Sequence, residues 1–189
     1  MIKIGILGEI GSGKSFIAKH FGHPTFNADI EVGKLYKKDK KIFNKLKKAL
    51  PKYINSFPIE KNEISYAILA NKSNLKKIVK IVHQEIRKKM NVFLKKHRNK
   101  KIVILDIPLL LENNINKKND ILIFVQSEKI EILKRLKQRK GFNLKILKKF
   151  KKIQLPLDYK KKKSHFIIKN DFTKLKIKKS ISDILKKIL

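Results

Sequence analysis

The sequence predicts an α/β protein built on a parallel sheet with helices on both faces. Three observations carry that expectation. Short apolar runs alternate with longer stretches of helical periodicity, the pattern of strands joined by crossover helices. Two of those runs, residues 102–105 and 121–125, are continuously apolar, as strands buried on both faces are. A glycine-rich loop also lies between the first strand and the first helix. The 189 residues suffice for one such domain with a small insertion and a real core.

The elements follow in order. Ile2, Ile4, Ile6 and Leu7 mark the first strand, and Phe16 to Phe21 reads as helix. His23 to Asp29 is a proline-entered short strand ending in an acid, and residues 30–50 are helical up to the stop at Pro51. Residues 51–62 are irregular. Leu75, Ile78, Val79, Val82, Ile86, Met90 and Phe93 recur at steps of three and four, which predicts a long helix over 73–98. The two apolar strands then end at Asp106 and Val125. Helix follows over 128–140 and resumes after Gly141 to about Ile153, and Pro156 opens a lysine-rich stretch. Phe166 to Ile168 is the last strand, and Ile177, Ile181, Ile184, Leu185 and Ile188 form the stripe of a closing amphipathic helix.

Residues 8–15 read Gly8-Glu9-Ile10-Gly11-Ser12-Gly13-Lys14-Ser15, a complete G-x-x-x-x-G-K-[ST] loop in the strand–loop–helix setting such a motif requires. Its glycines let successive backbone N–H groups turn inward around an anion at the positive end of the following helix. Lys14 adds a mobile charge for terminal phosphates, and the Ser15 hydroxyl suits a magnesium ion. The loop therefore predicts nucleoside triphosphate binding.

In a parallel sheet the strand ends share one edge, so Asp29 and Asp106 should open onto the edge that carries this loop. One carboxylate near a triphosphate can serve the metal and the other an acceptor hydroxyl. Asp106 sits where a metal-serving acid would sit, with capping of the next turn as its alternative. Asp29 has the alternative of N-capping a helix that starts near Ile30. The leucines of Ile107-Pro108-Leu109-Leu110-Leu111-Glu112 should pack under the site or line an apolar part of it. Arg135 and Arg139 lie four residues apart and are read as one helical face offering forked donors to phosphate. His83 and Arg87 are also one turn apart, beside the apolar stripe of the long helix, as a ligand contact or a surface pair.

The formal net charge of +34 suggests a polyanion partner when read alone. Of 49 basic residues only four are arginine (Arg87, Arg98, Arg135, Arg139), and Asn, Ile and Phe are abundant while Trp is absent. These are the residues of A/T-rich codons, so genome composition accounts for a solvated lysine surface without a nucleic-acid partner. With no cysteine there is no disulfide framework or thiolate metal site. No apolar run reaches the roughly 20 residues of a membrane span, and the chain starts directly in an apolar strand, which together point to a cytoplasmic protein.

These pieces in this order resemble the dephospho-coenzyme A kinase family. Gly8 to Ser15 is similar to its opening G-G-I-G-S-G-K-S, Asn27-Ala28-Asp29 to its D-A-D, Val82-His83 to its L-H-P, and Leu105 to Glu112 to its L-D-V-P-L-L-F-E. Gln138-Arg139 is similar to the lid K-R-D, Gln154-Leu155-Pro156-Leu157 to Q-M-P-L, and Ile167-Ile168-Lys169-Asn170 to V-I-D-N. Asn27, Lys140 and His165 each replace an acid of that pattern.

The resemblance implies a parallel-sheet P-loop kinase core over 1–29, 100–137 and 161–189, a helical acceptor-binding insertion over 30–99 and a small lid over 138–160. It implies ATP with Mg2+ and dephospho-coenzyme A as the reacting pair, with no specific nucleic acid, no membrane, and a monomer or weak oligomer. Gly8, Gly11, Ser12, Gly13, Lys14, Ser15 and Phe16 would bind ATP, and Ser15 and Asp106 would serve the metal. Lys14, Asp29 and Arg139 would be catalytic. Asp29, His83, Arg87, Pro108, Leu109 and Glu112 would hold the acceptor. A kinase for another small acceptor and a nucleic-acid-binding ATPase are the competing readings.

Overall fold

The computed structural model of the chain describes residues 1–139 and 141–189. Its elements are β1 (Ile2–Gly8), α1 (Lys14–His20), β2 (Thr25–Asn27), α2 (Ala28–Lys38), α3 (Lys40–Ala49), α4 (Lys61–Ala70), α5 (Lys72–Lys96), β3 (Ile102–Asp106), β4 (Ile121–Gln126), α6 (Lys129–Lys137), α7 (Leu144–Lys151), α8 (Leu157–Lys162), β5 (Phe166–Lys169) and α9 (Lys174–Ile188). The five strands form one parallel sheet in the order β2-β3-β1-β4-β5. The α/β class and parallel sheet expected from the sequence are the ones found. Lys140, which ends the helix expected over 128–140, lies outside the described residues.

The chain divides into two compact units. The first comprises residues 1–27, 96–142 and 154–189, and the second residues 28–95 and 143–153. In the first, alternation along β1 sends Ile4 and Ile6 to one face of the sheet. There they join Ile102, Ile104, Ile123, Val125 and Ile168 beneath Ile17, Ala18 and Phe21 of the loop helix segment and Ile177, Ile181 and Ile184 of α9. The apolar stripe of α9 was legible at its helical spacing, and it is this face that it buries. On the other side Gly5 leaves room for Leu110 and Leu122, whose side chains close over its Cα.

The second unit is helical. Leu75, Ile78, Val82, Ile86 and Met90 form the buried stripe of α5, which begins one residue before and ends two residues before the expected bounds. The helix expected over 30–50 is instead two. Asp39 takes an extended conformation between them and accepts the Ile42 N–H at 3.0 Å, which caps α3 and breaks the run.

Helix α4 was not anticipated. Glu60 caps it in a reciprocal box with Glu63, whose carboxylate also accepts the N–H groups of Asn55 and Ser56 at 2.7 and 3.0 Å. Burial works to raise the Glu63 carboxyl, but these backbone bonds and the Ser56 hydroxyl outweigh it and hold it below the ordinary glutamate value. At the other end of α4 the Lys149 ammonium donates to the carbonyls of Ile68 and Leu69 at 2.6 and 2.8 Å, a cation on the helix's negative end.

Candidate active site

The parallel register brings the ends of β1, β3 and β4 to one edge: Gly5 pairs with Leu105 and Gly8 with Val125. The loop leaving β1 is tight. Its Ser12 N–H reaches the Glu9 carbonyl at 3.1 Å. Gly8 has φ +145°, and a Cβ there would stand 2.6 Å from the Val125 carbonyl oxygen, so only glycine fits. Gly13 has φ +89° and packs so closely on the Asn170 amide and the Phe172 ring that any side chain would collide with them. The Lys14 ammonium folds over this loop, donating to the carbonyls of Glu9 and Gly8 at 2.8 and 3.3 Å.

Asp106 ends β3 beside Lys14 and is only 2 % exposed. It receives hydrogen bonds from the Ser15 hydroxyl and from the amide of Asn27, its register partner on β2. Burial pushes its carboxyl above the ordinary aspartate value, against the Ser15 bond, the Lys14 charge and the Asn27 bond. Asn27, where the family pattern has an acid, thus acts as a neutral donor to Asp106 instead of a second negative charge.

A hydroxyl and a carboxylate side by side are hard oxygen donors, which suit a divalent cation that brings water and phosphate oxygens for its remaining ligands. No cluster of three or more His, Cys, Asp or Glu able to hold a metal occurs among the described residues. Ser15 and Asp106 fit such an ion by the chemistry of their oxygens.

After Asp106 the chain turns through Pro108 and Leu109. Leu109 adopts φ +61°, and its carbonyl accepts both the backbone and side-chain N–H of Asn113. Leu109 and Leu110 are buried, so these leucines pack beneath the turn. Glu112 is drawn inward: one oxygen accepts the Leu155 N–H at 3.0 Å and pairs with Lys160 at 2.6 Å. The other oxygen is buried without a hydrogen-bond partner among the described residues. Lys160 is itself 3 % exposed.

Removing one member of a buried pair strands the other charge. Lys160→Met is therefore expected to destabilise the fold by about 3–5 kcal/mol in urea melts, with Lys160→Met/Glu112→Leu recovering most of the loss. A single-variant cost below about 1 kcal/mol would contradict a buried, desolvated pair.

Arg135 and Arg139 do not share a helical face. Helix α6 ends at Lys137, and the Arg139 N–H bonds the Leu136 carbonyl at 3.1 Å in a tightened last turn. Arg139 is exposed in the turn beyond. Arg135 lies in the last helical turn with its guanidinium 3.7 Å from the Phe172 ring centroid, a cation–π contact.

Asp29 is likewise not at a strand end. β2 stops at Asn27, and Asp29 is an exposed residue in the first turn of α2, where an acid complements the helix dipole. His83 and Arg87, one turn apart on α5, belong with Asp29 to the second unit; His83 is half-buried and Arg87 exposed. Phe16 meets the His20 ring within α1 at a centroid separation of 4.2 Å and a tilt of 51°.

Two residues at this edge escaped the sequence reading. Ser127 follows β4 and Asn170 follows β5, and both donate to the Ser12 carbonyl, at 2.9 and 2.7 Å. Asn170 was visible only as the last letter of a family tetrapeptide, and Ser127 left no signal.

A family model described as dephospho-CoA kinase matches residues 2–176. The chain belongs to the dephospho-CoA kinase family. The resemblance carried by its motifs therefore holds over nearly the whole length. Among curated relatives, the dephospho-CoA kinase of the Wolbachia of Brugia malayi is 33% identical over 187 residues, covering 96% of this chain and 95% of its own. That of Rickettsia conorii is 31% identical over 189 residues, covering 98% and 97%.

Solved structures agree on the fold. A crystal structure from Thermus thermophilus superposes with a TM-score of 0.78 at 22% identity, covering 100% of this chain and 97% of that one. The dephospho-CoA kinase from Campylobacter jejuni gives 0.63 at 21% identity, covering 98% and 96%. As a member of the dephospho-CoA kinase family the chain is a kinase that uses a nucleotide substrate. No helix among its described residues is long and apolar enough to cross a membrane.

Proposed function

We propose that the chain transfers the γ-phosphoryl group of ATP to the ribose 3′-hydroxyl of dephospho-coenzyme A, giving coenzyme A and ADP. The observation that supports this most is the grouping of Lys14, Ser15 and the buried Asp106 at the mouth of the glycine loop, in a chain of this family. Backbone N–H groups of residues 8–16 would take the phosphates, and Lys14 would leave the Gly8 and Glu9 carbonyls to meet charge developing on the transferred group. Ser15 and Asp106 would hold Mg2+, which would supply positive charge to neutralise the phosphates.

The new bond joins the acceptor oxygen to phosphorus as the bond to the ADP oxygen breaks, and the hydroxyl proton must leave with a base. Asp29 is the candidate for that base. Its chain position supports the role, two residues past the Asn27 that bonds Asp106. Asp106 is less suited, since Ser15 and Asn27 already bond its carboxylate. Arg139, in the turn where a lid over 138–160 would begin, would add charge to the transferring group. By the resemblance, His83, Arg87, Pro108, Leu109 and Glu112 would hold the acceptor.

Phosphorus NMR of the product tests the position of transfer: the account expects a single new 3′-phosphomonoester, and a pyrophosphate extension or a 2′-ester would contradict it.

In this reading the protein works in the cytoplasm as a monomer or weak oligomer, and its lysines are a solvated coat. Binding to duplex DNA is then expected to be weak, indifferent to sequence and steeply reduced by salt. Tight binding that survives roughly 0.15 M salt, or ATP hydrolysis stimulated by polynucleotide, would move a nucleic-acid ATPase ahead of the metabolic kinase.

A further inference from the structure

The Ser12 carbonyl oxygen takes two side-chain hydrogen bonds at once, from the Asn170 amide at 2.7 Å and the Ser127 hydroxyl at 2.9 Å. The two donors come from the turns after two different strands, and all three residues lie in the first unit. Asn170 is fixed at both ends of its amide. Its oxygen accepts the Phe172 N–H at 2.9 Å, which assigns the NH2 group to Ser12. Its own backbone N–H reaches the Gln126 carbonyl at 2.8 Å, and the residue is 3 % exposed.

This matters because of Gly13. A trans peptide is planar, so the Ser12 carbonyl and the Gly13 N–H point in opposite directions. Glycine accepts positive and negative φ about equally, so the Ser12–Gly13 peptide could turn over at little cost and present its oxygen where an anion needs a hydrogen. At φ +89° Gly13 holds one of those two orientations. Two donors on the carbonyl select it.

We propose that Asn170, assisted by Ser127, is a positioning residue for the phosphate loop, locking the Ser12–Gly13 peptide with its N–H turned toward the triphosphate. The inference rests on the loop's nucleotide-binding role and not on the identity of the acceptor. A neutral hydrogen bond is worth roughly a 2- to 10-fold bias in such an equilibrium, so the pair together biases it by about 4- to 100-fold.

Calorimetric titration of ATP and of tripolyphosphate, a probe with no base or sugar, tests this on the wild type, Asn170→Ala, Asn170→Asp, Ser127→Ala and the Asn170→Ala/Ser127→Ala double variant. Thermal melts and KM for dephospho-coenzyme A are measured alongside.

With a donor gone the buried Ser12 carbonyl favours the turned-over peptide, so Asn170→Ala and Ser127→Ala are each expected to weaken ATP and tripolyphosphate by one common factor, up to about 10-fold, and the double variant by more. The acceptor KM should stay within about twofold and the melts within a few degrees. Asn170→Asp can still accept the Phe172 N–H but loses the donor to Ser12, so a near-wild-type affinity in that variant would overturn the proposal. So would a loss for ATP without a matching loss for tripolyphosphate, which would place Asn170 at the base, or a parallel rise in acceptor KM, which would make the effect a general loosening. Ser127→Ala carries the test without a buried vacancy at position 170 if Asn170→Ala fails to fold. A wild type that binds ATP but does not phosphorylate dephospho-coenzyme A would refute the proposed reaction and leave this inference standing.

Discussion

Lys14→Ala is expected to lower turnover by several orders of magnitude while the protein stays folded. The ammonium donates to the carbonyls of Glu9 and Gly8 and sits beside the buried Asp106 carboxylate. Loss of those bonds costs stability of only about 1 kcal/mol each, a shift of a few degrees in melting for a chain this size. The effect on rate is larger because the charge acts on the transferring phosphoryl group, where it is needed most in the transition state. Steady-state kinetics with a parallel melt separate the two. Retention of more than about a tenth of the activity, a loss of only ~1.4 kcal/mol, would remove Lys14 from the chemistry.

Asp29→Asn should divide the acceptor chemistry from nucleotide binding. The substitution keeps size and hydrogen-bonding capacity but removes charge and basicity. In the first turn of α2 the lost helix-dipole contact is worth about 0.3–1 kcal/mol, too little to unfold the chain. Turnover with dephospho-coenzyme A is expected to fall roughly 10²–10⁴-fold, the scale of general acid–base contributions. ATP affinity, measured by direct titration, should change by less than about threefold, or ~0.65 kcal/mol. Collapse of ATP binding would move Asp29 to the metal–nucleotide site and leave Asp106 as the base candidate. Unchanged turnover would reduce Asp29 to a helix-terminal charge.

What could be read from the sequence was local. The loop after β1 announces itself by spacing alone, and β3, β4 and the stripe of α5 by apolar run or period. The breaks were harder. Asp39 stops a run whose lysines are equally at home in one helix or two, and only its bond to Ile42 decides the matter. Helix α4 starts from a glutamate, which the usual Ser, Thr, Asp or Asn signal does not cover. Arg139 lost its expected helical partner because α6 tightens one turn early.

The long-range contacts were out of reach. Lys160 is one lysine in a chain full of them, and only burial against Glu112 distinguishes it. Asn170 meets Ser12 across 158 residues, a contact set by the order of strands in the sheet and written in no local pattern. The family resemblance covered part of this gap, since motifs scattered along the chain are tied together by the fold they share.

The central claim, that this chain is a kinase for dephospho-coenzyme A, is tested most directly by a coupled ADP-release assay over a panel of acceptors. The panel holds dephospho-coenzyme A, adenosine monophosphate, deoxyadenosine, shikimate, single-stranded DNA and water alone, each with ATP and Mg2+. The account predicts rapid ADP release with dephospho-coenzyme A and near-background rates with every other acceptor. Faster release with another small acceptor or with DNA, or no response to dephospho-coenzyme A from a protein shown by titration to bind ATP, would contradict it.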